Sequence, residues 1–240
     1  MMINFQDILG QAATEYGLTL TTEQLIAMDR YYQLLVEWNE KINLTAITDP
    51  QEVAIKHMVD SLSCYQPALF TAGVSVIDVG TGAGFPGLPL KIFQQDIELT
   101  LMDSLNKRLN FLREVIAALA LTKVNTVHAR AEEGGKNKQY REQYQVAVSR
   151  AVARLNVLCE LCLPFVKVGG CFIALKGAQY EDEVKEAAKA VKLLGGKIEE
   201  IKPVKLPGLT DKRAVIYIRK IANTPAAYPR KAGTPEKKPL

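Results

Sequence analysis

Through the first sixty or so residues the apolar positions recur at helical spacing. An amphipathic segment over 3–16 stops at Gly17. Thr21 and Gln24 then form a capping-box pair ahead of Leu25, Met28, Tyr31, Tyr32, Leu35 and Trp38, which share one helical face. Asp49-Pro50-Gln51-Glu52 opens a third helix, with Val53, Ile55, Met58, Val59 and Leu62 as its apolar side. The polar stretch 39–48 between them reads as a loop. After Gly73 the pattern changes to short β-branched runs separated by helical ones, as expected of a parallel sheet with crossovers. Strands are predicted at 74–79, 97–102, 124–128, 146–149 and 171–176, with helices at 107–120 and 181–194. Two further runs, 197–204 and 214–219, flank Pro207-Gly208-Leu209-Thr210-Asp211, a turn short enough for a hairpin, so the last strand is expected to be antiparallel.

From about residue 222 the periodicity is lost and Pro225, Pro229, Pro235 and Pro239 follow, which predicts an extended or flexible tail. The chain therefore divides into a helical cap at 1–62, an α/β domain at 63–221 and a basic, proline-containing tail at 222–240.

Composition adds limits rather than detail. At 240 residues, 48% hydrophobic and 23% charged, the chain can bury a self-sufficient core and has the make-up of a soluble globular protein. Even the apolar run 155–172 carries Glu160 and Lys167, so no segment reads as a membrane span. The first ten residues contain Asp7 and no basic region, unlike a signal peptide, and a cytoplasmic location is expected. Cys159 and Cys162 form a C-x-x-C in an apolar segment without a second pair, which reads as core packing; neither a metal nor a disulfide partner is expected. No long amphipathic seam calls for a dimer, and a monomer is expected.

The most informative segment is Asp78-Val79-Gly80-Thr81-Gly82-Ala83-Gly84-Phe85-Pro86-Gly87, which follows the first sheet strand and opens a helix. Alternating glycines let the backbone turn off the strand and approach a ligand closely, and a helix start presents free N–H groups. Two ligands compete. Gly82, Gly84 and Gly87 also satisfy G-x-G-x-x-G, the arrangement that binds a dinucleotide pyrophosphate. The acidic Asp78 favours instead a ligand with an ammonium beside its carboxylate, such as S-adenosylmethionine. Asp103, ending the second strand, is placed to accept hydrogen bonds from ribose hydroxyls of either ligand. Ala131 and Glu132, after the third strand, stand where an adenine edge can be read. Arg150, after the fourth, can hold a phosphate or the donor's carboxylate, or simply pair with Glu132.

The end of the fourth strand bears on the acceptor. Ser149-Arg150-Ala151-Val152 lacks the Pro-Pro-aromatic pattern that activates exocyclic amines, and no Pro-Cys pair for covalent attack on a pyrimidine is present. These absences favour an acceptor that is already nucleophilic, such as guanine N7.

The strand-helix order followed by a hairpin is that of the seven-stranded, class I (Rossmann-like) methyltransferase fold, a doubly wound, mostly parallel sheet, here with an N-terminal helical segment. Nearly the whole chain resembles the ribosomal RNA small subunit methyltransferase G family, also called glucose-inhibited division protein B. The resemblance rests on Trp38-Asn39-Glu40-Lys41-Ile42-Asn43-Leu44-Thr45, Lys56-His57 with Asp60-Ser61-Leu62, and the loop after Asp78. It extends to Arg130-Ala131-Glu132, Ser149-Arg150-Ala151, Lys176-Gly177 and the run from Tyr228 to Pro235. It implies S-adenosylmethionine as cofactor, 16S rRNA or the small ribosomal subunit as partner, and methyl transfer to guanine N7 in the 530 loop. It places the donor around Gly80, Phe85, Ala131, Glu132 and Arg150, and makes Asn39, Lys41, Asn43, Lys56, His57, Lys176, Arg230 and Lys231 candidates for RNA contact. An assembly factor that binds RNA without chemistry is the alternative. Net charge is only +4, but Arg219, Lys220, Arg230, Lys231, Lys237 and Lys238 crowd the end of the chain. The tail is expected to act chiefly as an RNA-binding arm with salt-sensitive phosphate contacts. Folding of Ala232-Gly233-Thr234-Pro235 back beside the donor pocket is the competing arrangement.

Overall fold

The computed structural model describes residues 4–150 and 152–240; Ile3, predicted to begin the first helix, and Ala151 lie outside them. Asn4 caps α1 (Phe5–Tyr16) by accepting from Asp7 N at 2.9 Å, and Gly17, at φ 89°, ends it. The capping box of Thr21 and Gln24 forms and starts α2 (Thr22–Asn39). Asp49 caps the third helical stretch, which is not uniform: α3 (Pro50–Val53) passes through a π-helical turn (Ala54–Val59) into α4 (Asp60–Leu62). Turns of this kind insert one extra residue per turn and occur often at functional sites; this one carries Lys56 and His57.

Seven strands form one sheet in the order β3-β2-β1-β4-β5-β7-β6. They are β1 (Ser75–Val79), β2 (Glu98–Asp103), β3 (Val124–His128), β4 (Tyr144–Arg150), β5 (Val166–Lys176), β6 (Gly196–Val204) and β7 (Arg213–Lys220). The first five run parallel, whereas β7 lies antiparallel to both β5 and β6. The architecture is the doubly wound α/β sheet expected. β5 starts five residues earlier than its apolar run suggests, because Val166 pairs with Tyr144 ahead of a register shift that the Gly169-Gly170 pair conceals in the sequence. Strand order reverses between β1 and β4, and in open α/β sheets ligands bind in the crevice outside such a switch point.

Side chains alternate across the strands and build two cores. Val76, Val148 and Ile173 face a layer containing Leu9, Met28, Tyr31 and Leu35 of the N-terminal helices, together with residues of α5 (Gly87–Phe93) and α6 (Asn106–Ala118). Ile77, Ala147 and Phe172 face α8 (Leu155–Cys162), against which the short α7 (Ala131–Gly134) packs, and α9 (Tyr180–Leu193). The N-terminal helices thus share their core with the sheet. Tyr31 is fully buried and its hydroxyl donates to Ala83 O, tying α2 to the glycine loop. Cys159 and Cys162 are buried in α8, where burial pushes both thiols well above their ordinary range. Among the described residues no helix is long and apolar enough to cross a membrane.

The tail departs from expectation. Instead of an extended or flexible arm, residues after 222 pack along α8 and end in α10 (Thr234–Lys237). Glu160, 0% exposed, accepts from Arg230 Nη2 at 2.6 Å, Nε at 2.9 Å and the backbone N at 2.7 Å. Arg141 donates to the carbonyls of Thr224 at 2.6 Å and Tyr228 at 2.8 Å. Lys220 is fully buried, donating to Leu163 O at 2.7 Å and to Thr224 Oγ1. Arg219 pairs with Glu199 at 2.7 Å. Of the six cations assigned to an RNA-binding arm, Arg219, Lys220 and Arg230 are therefore engaged within the fold, while Lys231, Lys237 and Lys238 are exposed. The reason is physical: prolines interrupt secondary structure, but a buried carboxylate supplies strong order to any guanidinium that reaches it.

Candidate functional site

The loop between β1 and α5 turns through three left-handed glycines, Gly80 at φ 72°, Gly82 at 60° and Gly84 at 101°. Their surroundings separate their roles. A Cβ on Gly84 would meet the Tyr31 hydroxyl at 2.6 Å and Leu88 at 2.7 Å, so this glycine serves helix packing and lies outside the ligand cavity. A Cβ on Gly82 would meet nothing nearer than Gly80 O at 4.0 Å, and Gly82 lines the cavity.

Asp78 is also placed differently from its expected role. Its carboxylate is buried beneath the loop and outside the cavity lining, with Oδ2 accepting from Thr81 Oγ1 at 2.7 Å and Gly87 N at 2.9 Å. It braces the loop rather than facing a ligand's ammonium. Oδ1 has no hydrogen-bond partner among the described residues, and burial pushes the carboxyl up to about 7 against the two hydrogen bonds. Because the folded value lies above the ordinary 3.8, Asp78 contributes stability that is complete below 3.8 and lost as pH rises through about 7. Replacing Asp78→Asn removes this loss. Urea unfolding from pH 4 to 8 should show the variant gaining on the wild type up to about pH 7 and then holding a constant lead, on the order of a few kcal/mol. A stability difference independent of pH would contradict this placement.

Above the loop, a cavity of about 500 Å³ sits at the switch point, within the range of small-molecule sites. It brings together Gly80, Gly82, Phe85, Asp103, Ala131, Glu132 and Arg150, all expected from the sequence, although they span four strand ends. Parallel register explains the convergence, since Val79 pairs with Met102 and Asp103 with His128. Asp103 Oδ2 accepts from Gly82 N at 2.9 Å and Arg108 Nη1 at 3.4 Å, and Oδ1 from Leu105 N at 2.8 Å, which fixes its carboxylate and leaves acceptor capacity on Oδ1. Met102, Val157, Leu158 and Leu161 supply an apolar wall. Gly233, Pro235 and Glu236 of the tail line the cavity as well, and Gly233 N donates to Glu132 Oε1 at 2.9 Å.

Arg150 does not pair with Glu132. It donates to Asp60 Oδ2 at 2.9 Å and to Lys56 O at 2.8 Å, and its guanidinium lies 5.0 Å from the Phe85 ring centroid. His57 stacks on Phe85 at 4.6 Å. His57 Nδ1 lies 3.2 Å from Arg150 Nη2 and 3.1 Å from Lys56 O, and Nε2 lies 2.9 Å from Thr45 Oγ1. Burial, then Arg150, holds His57 down to about 3, so the ring is neutral.

The RNA candidates scatter. His57 lines the cavity, while Lys56 and Lys176 are close by, Lys56 paired with Glu52 and Lys176 tied to Glu183 at 2.7 Å. Asn39 braces the 39–48 loop by accepting from Leu44 N and Thr45 N. Lys41 is exposed beside Trp38, and Asn43 and Lys231 are exposed. Arg230 is occupied by Glu160. Sequence reasoning missed Thr45, Asp60 and Tyr31 as parts of the site; Asp60 joins it through Arg150, which also contacts His57.

The sequence pattern of the GidB family, described as rRNA small subunit methyltransferase G, matches residues 24–215. Proteins named ribosomal RNA small subunit methyltransferase G are 53% identical over 232 residues in Desulforamulus reducens, covering 97% of each chain. In Acetivibrio thermocellus identity is 50% over 238 residues, 99% of this chain and 98% of that one. The chain belongs to the rRNA small subunit methyltransferase G family. Among solved structures, this family member shares its fold with M. jannaschii TYW2 in complex with AdoMet, at TM-score 0.51 and 14% identity over 68% of this chain and 77% of that one. The fibrillarin pre-rRNA processing protein of Methanococcus jannaschii matches at TM-score 0.51 and 13% identity, over 64% and 70% of the respective chains. For the methyltransferase G family, the shared fold accounts for the position of the cavity at the sheet's switch point.

Proposed function

We propose that this protein transfers the methyl group of S-adenosylmethionine to guanine N7 in the 530 loop of 16S rRNA, acting as a monomer in the bacterial cytoplasm. The observation that carries the reading is the single cavity in which the left-handed Gly80–Gly84 loop, Asp103, Glu132 and Arg150 converge, in a chain of this family. The residues fit the donor. The open face of Gly82 admits close backbone approach, Asp103 retains acceptor capacity for ribose hydroxyls, and Ala131 and Glu132 flank the position for the adenine.

Bound there, S-adenosylmethionine supplies an electrophilic methyl group on a sulfonium. A guanine N7 would bring its own lone pair to that methyl group and lose no proton, so no residue of the cavity would need to act as a base. The protein's task is alignment at near-attack distance. Phe85, held between Tyr31 at 5.3 Å and His57 at 4.6 Å, and capped by Arg150, gives a fixed wall for that purpose. His57, neutral and bonded at both ring nitrogens, is a structural element here and not a general base. Incubation with labelled donor and small-subunit rRNA should transfer label, and reductive strand cleavage at 7-methylguanosine followed by primer extension should locate it in the 530 loop. Binding of the rRNA without label transfer would favour an assembly factor instead.

A further inference from the structure

A second cavity of about 280 Å³ adjoins the first, and His57 and Arg150 line both. It lies beyond the carboxyl ends of β4 and β5, against the start of β7 and the π-helical turn. Four cations border it, Lys56, Arg150, Lys176 and Arg213; the carboxylate in its lining is Asp60, and from outside the lining Glu52 pairs with Lys56 and Glu183 with Lys176 at 2.7 Å, which leaves the two arginines sharing Asp60. Both Asp60 oxygens are taken, Oδ2 by Arg150 at 2.9 Å and Oδ1 by Arg213 at 3.5 Å. Arg213 also reaches Asp211 at 3.1 Å, yet its Nε is buried and has no hydrogen-bond partner among the described residues. A buried N–H left unpaired is unfavourable unless something supplies an acceptor. The depressed His57 value reflects burial first and then the nearby charges of Arg150, Lys56 and Arg213.

We propose that this cavity binds a phosphate group of the RNA strand, adjacent to the guanine presented to the donor, with Arg213 as its main ligand and Lys56 in support. The inference rests on the activity proposed above. Charge and donor count favour phosphate over a base. Guanine's Watson–Crick edge offers N1 and N2 donors that call for a free carboxylate, and Asp60, the carboxylate in the lining, is ion-paired with Arg150 and Arg213. A phosphate offers acceptors only, which matches a lining rich in N–H donors and an unsatisfied guanidinium N–H. The shared wall of His57 and Arg150 places such a phosphate next to the methyl donor, so that holding the strand also sets the depth at which the base enters.

The full-length protein can be titrated with guanosine 3′,5′-bisphosphate and, separately, with guanosine, while the Arg213 Nε–H resonance is followed by NMR. The bisphosphate should shift that resonance and compete with an rRNA fragment, and guanosine should do neither. Arg213→Gln should weaken binding of the bisphosphate and of the rRNA at least about tenfold and reduce the salt slope of rRNA affinity by about 0.7. Its affinity for S-adenosylmethionine should change less than about twofold, and Arg213→Lys should recover most of the RNA affinity. Equal bisphosphate affinity and an unchanged salt slope in Arg213→Gln would overturn the proposal, as would guanosine shifting the same resonance with equal affinity. If the wild type transfers no methyl group to small-subunit rRNA, the activity reading fails on that result alone, and the bisphosphate and Arg213→Gln measurements still decide the phosphate site.

Discussion

Removing the chain after Asn223 is expected to raise the dissociation constant for S-adenosylmethionine at least about 100-fold and to lower the unfolding temperature markedly. The truncation leaves Glu160, fully buried in α8, without Arg230, and stranding one partner of a buried ion pair costs about 3–5 kcal/mol. Thr224, which accepts from buried Lys220, is lost, together with the carbonyls that hold Arg141. At the ligand end, Glu132 loses its bond from Gly233, and the cavity loses the wall formed by Gly233, Pro235 and Glu236. Calorimetric titration with the donor, paired with thermal unfolding, measures both effects. Arg230→Lys provides a milder variant: it keeps a charge for Glu160 while giving up the paired Nε and Nη2 bonds, so it should fold and still bind donor more weakly than the wild type. Donor affinity equal to wild type in the truncated protein, with RNA affinity alone reduced, would return the tail to the role of a free RNA-binding arm.

The tail also marks the limit of what the sequence discloses. Strands β1 to β4 announce themselves as β-branched runs, and the helix starts at Thr21 and Asp49 are local events, so their signals lie within a few residues. The pairing of Arg230 with Glu160 spans 70 residues and no local pattern foretells it. A trace existed, since Glu160 is the lone acid in an apolar helix, and a buried carboxylate requires a cation from elsewhere in the chain. The cavity was legible to the extent that it is built from strand ends, because parallel register carries Gly80, Asp103 and Arg150 to one edge. Asp78 was misplaced although alternation along β1 carries the correction: it shares a face with Val76, toward the helices, and not with Val79. Asp60 meets Arg150 and Arg213 only through tertiary packing, and the sequence neighbours of the two arginines give no hint of it.

The glycine loop offers the second large effect, and it separates ligand contact from packing within three residues. Gly82→Val should reduce affinity for S-adenosylmethionine by about 100-fold or more, because its side chain projects into the space the ligand needs. The surroundings of Gly82 hold no protein atom closer than 4.0 Å to an added Cβ, so the fold itself does not resist the new volume. What the fold does resist is a β-branched residue at φ 60°, a strain of about 1–3 kcal/mol, which should lower the unfolding temperature by several degrees. Gly84→Ala should show the reverse balance. Its methyl group would press on the Tyr31 hydroxyl at 2.6 Å, on Leu88 at 2.7 Å and on Leu112 at 2.9 Å, all within the core that joins α2 to the sheet. Overpacking of this kind, added to the left-handed φ of 101°, should cost more stability than Gly82→Val does, even though alanine is the smaller side chain. Donor affinity of whatever Gly84→Ala protein remains folded should fall less than that of Gly82→Val, since Gly84 does not line the cavity. Equal loss of donor affinity in the two variants at matched folded fraction would mean that the loop responds as one rigid unit, and the distinction drawn from the Cβ contacts would be wrong.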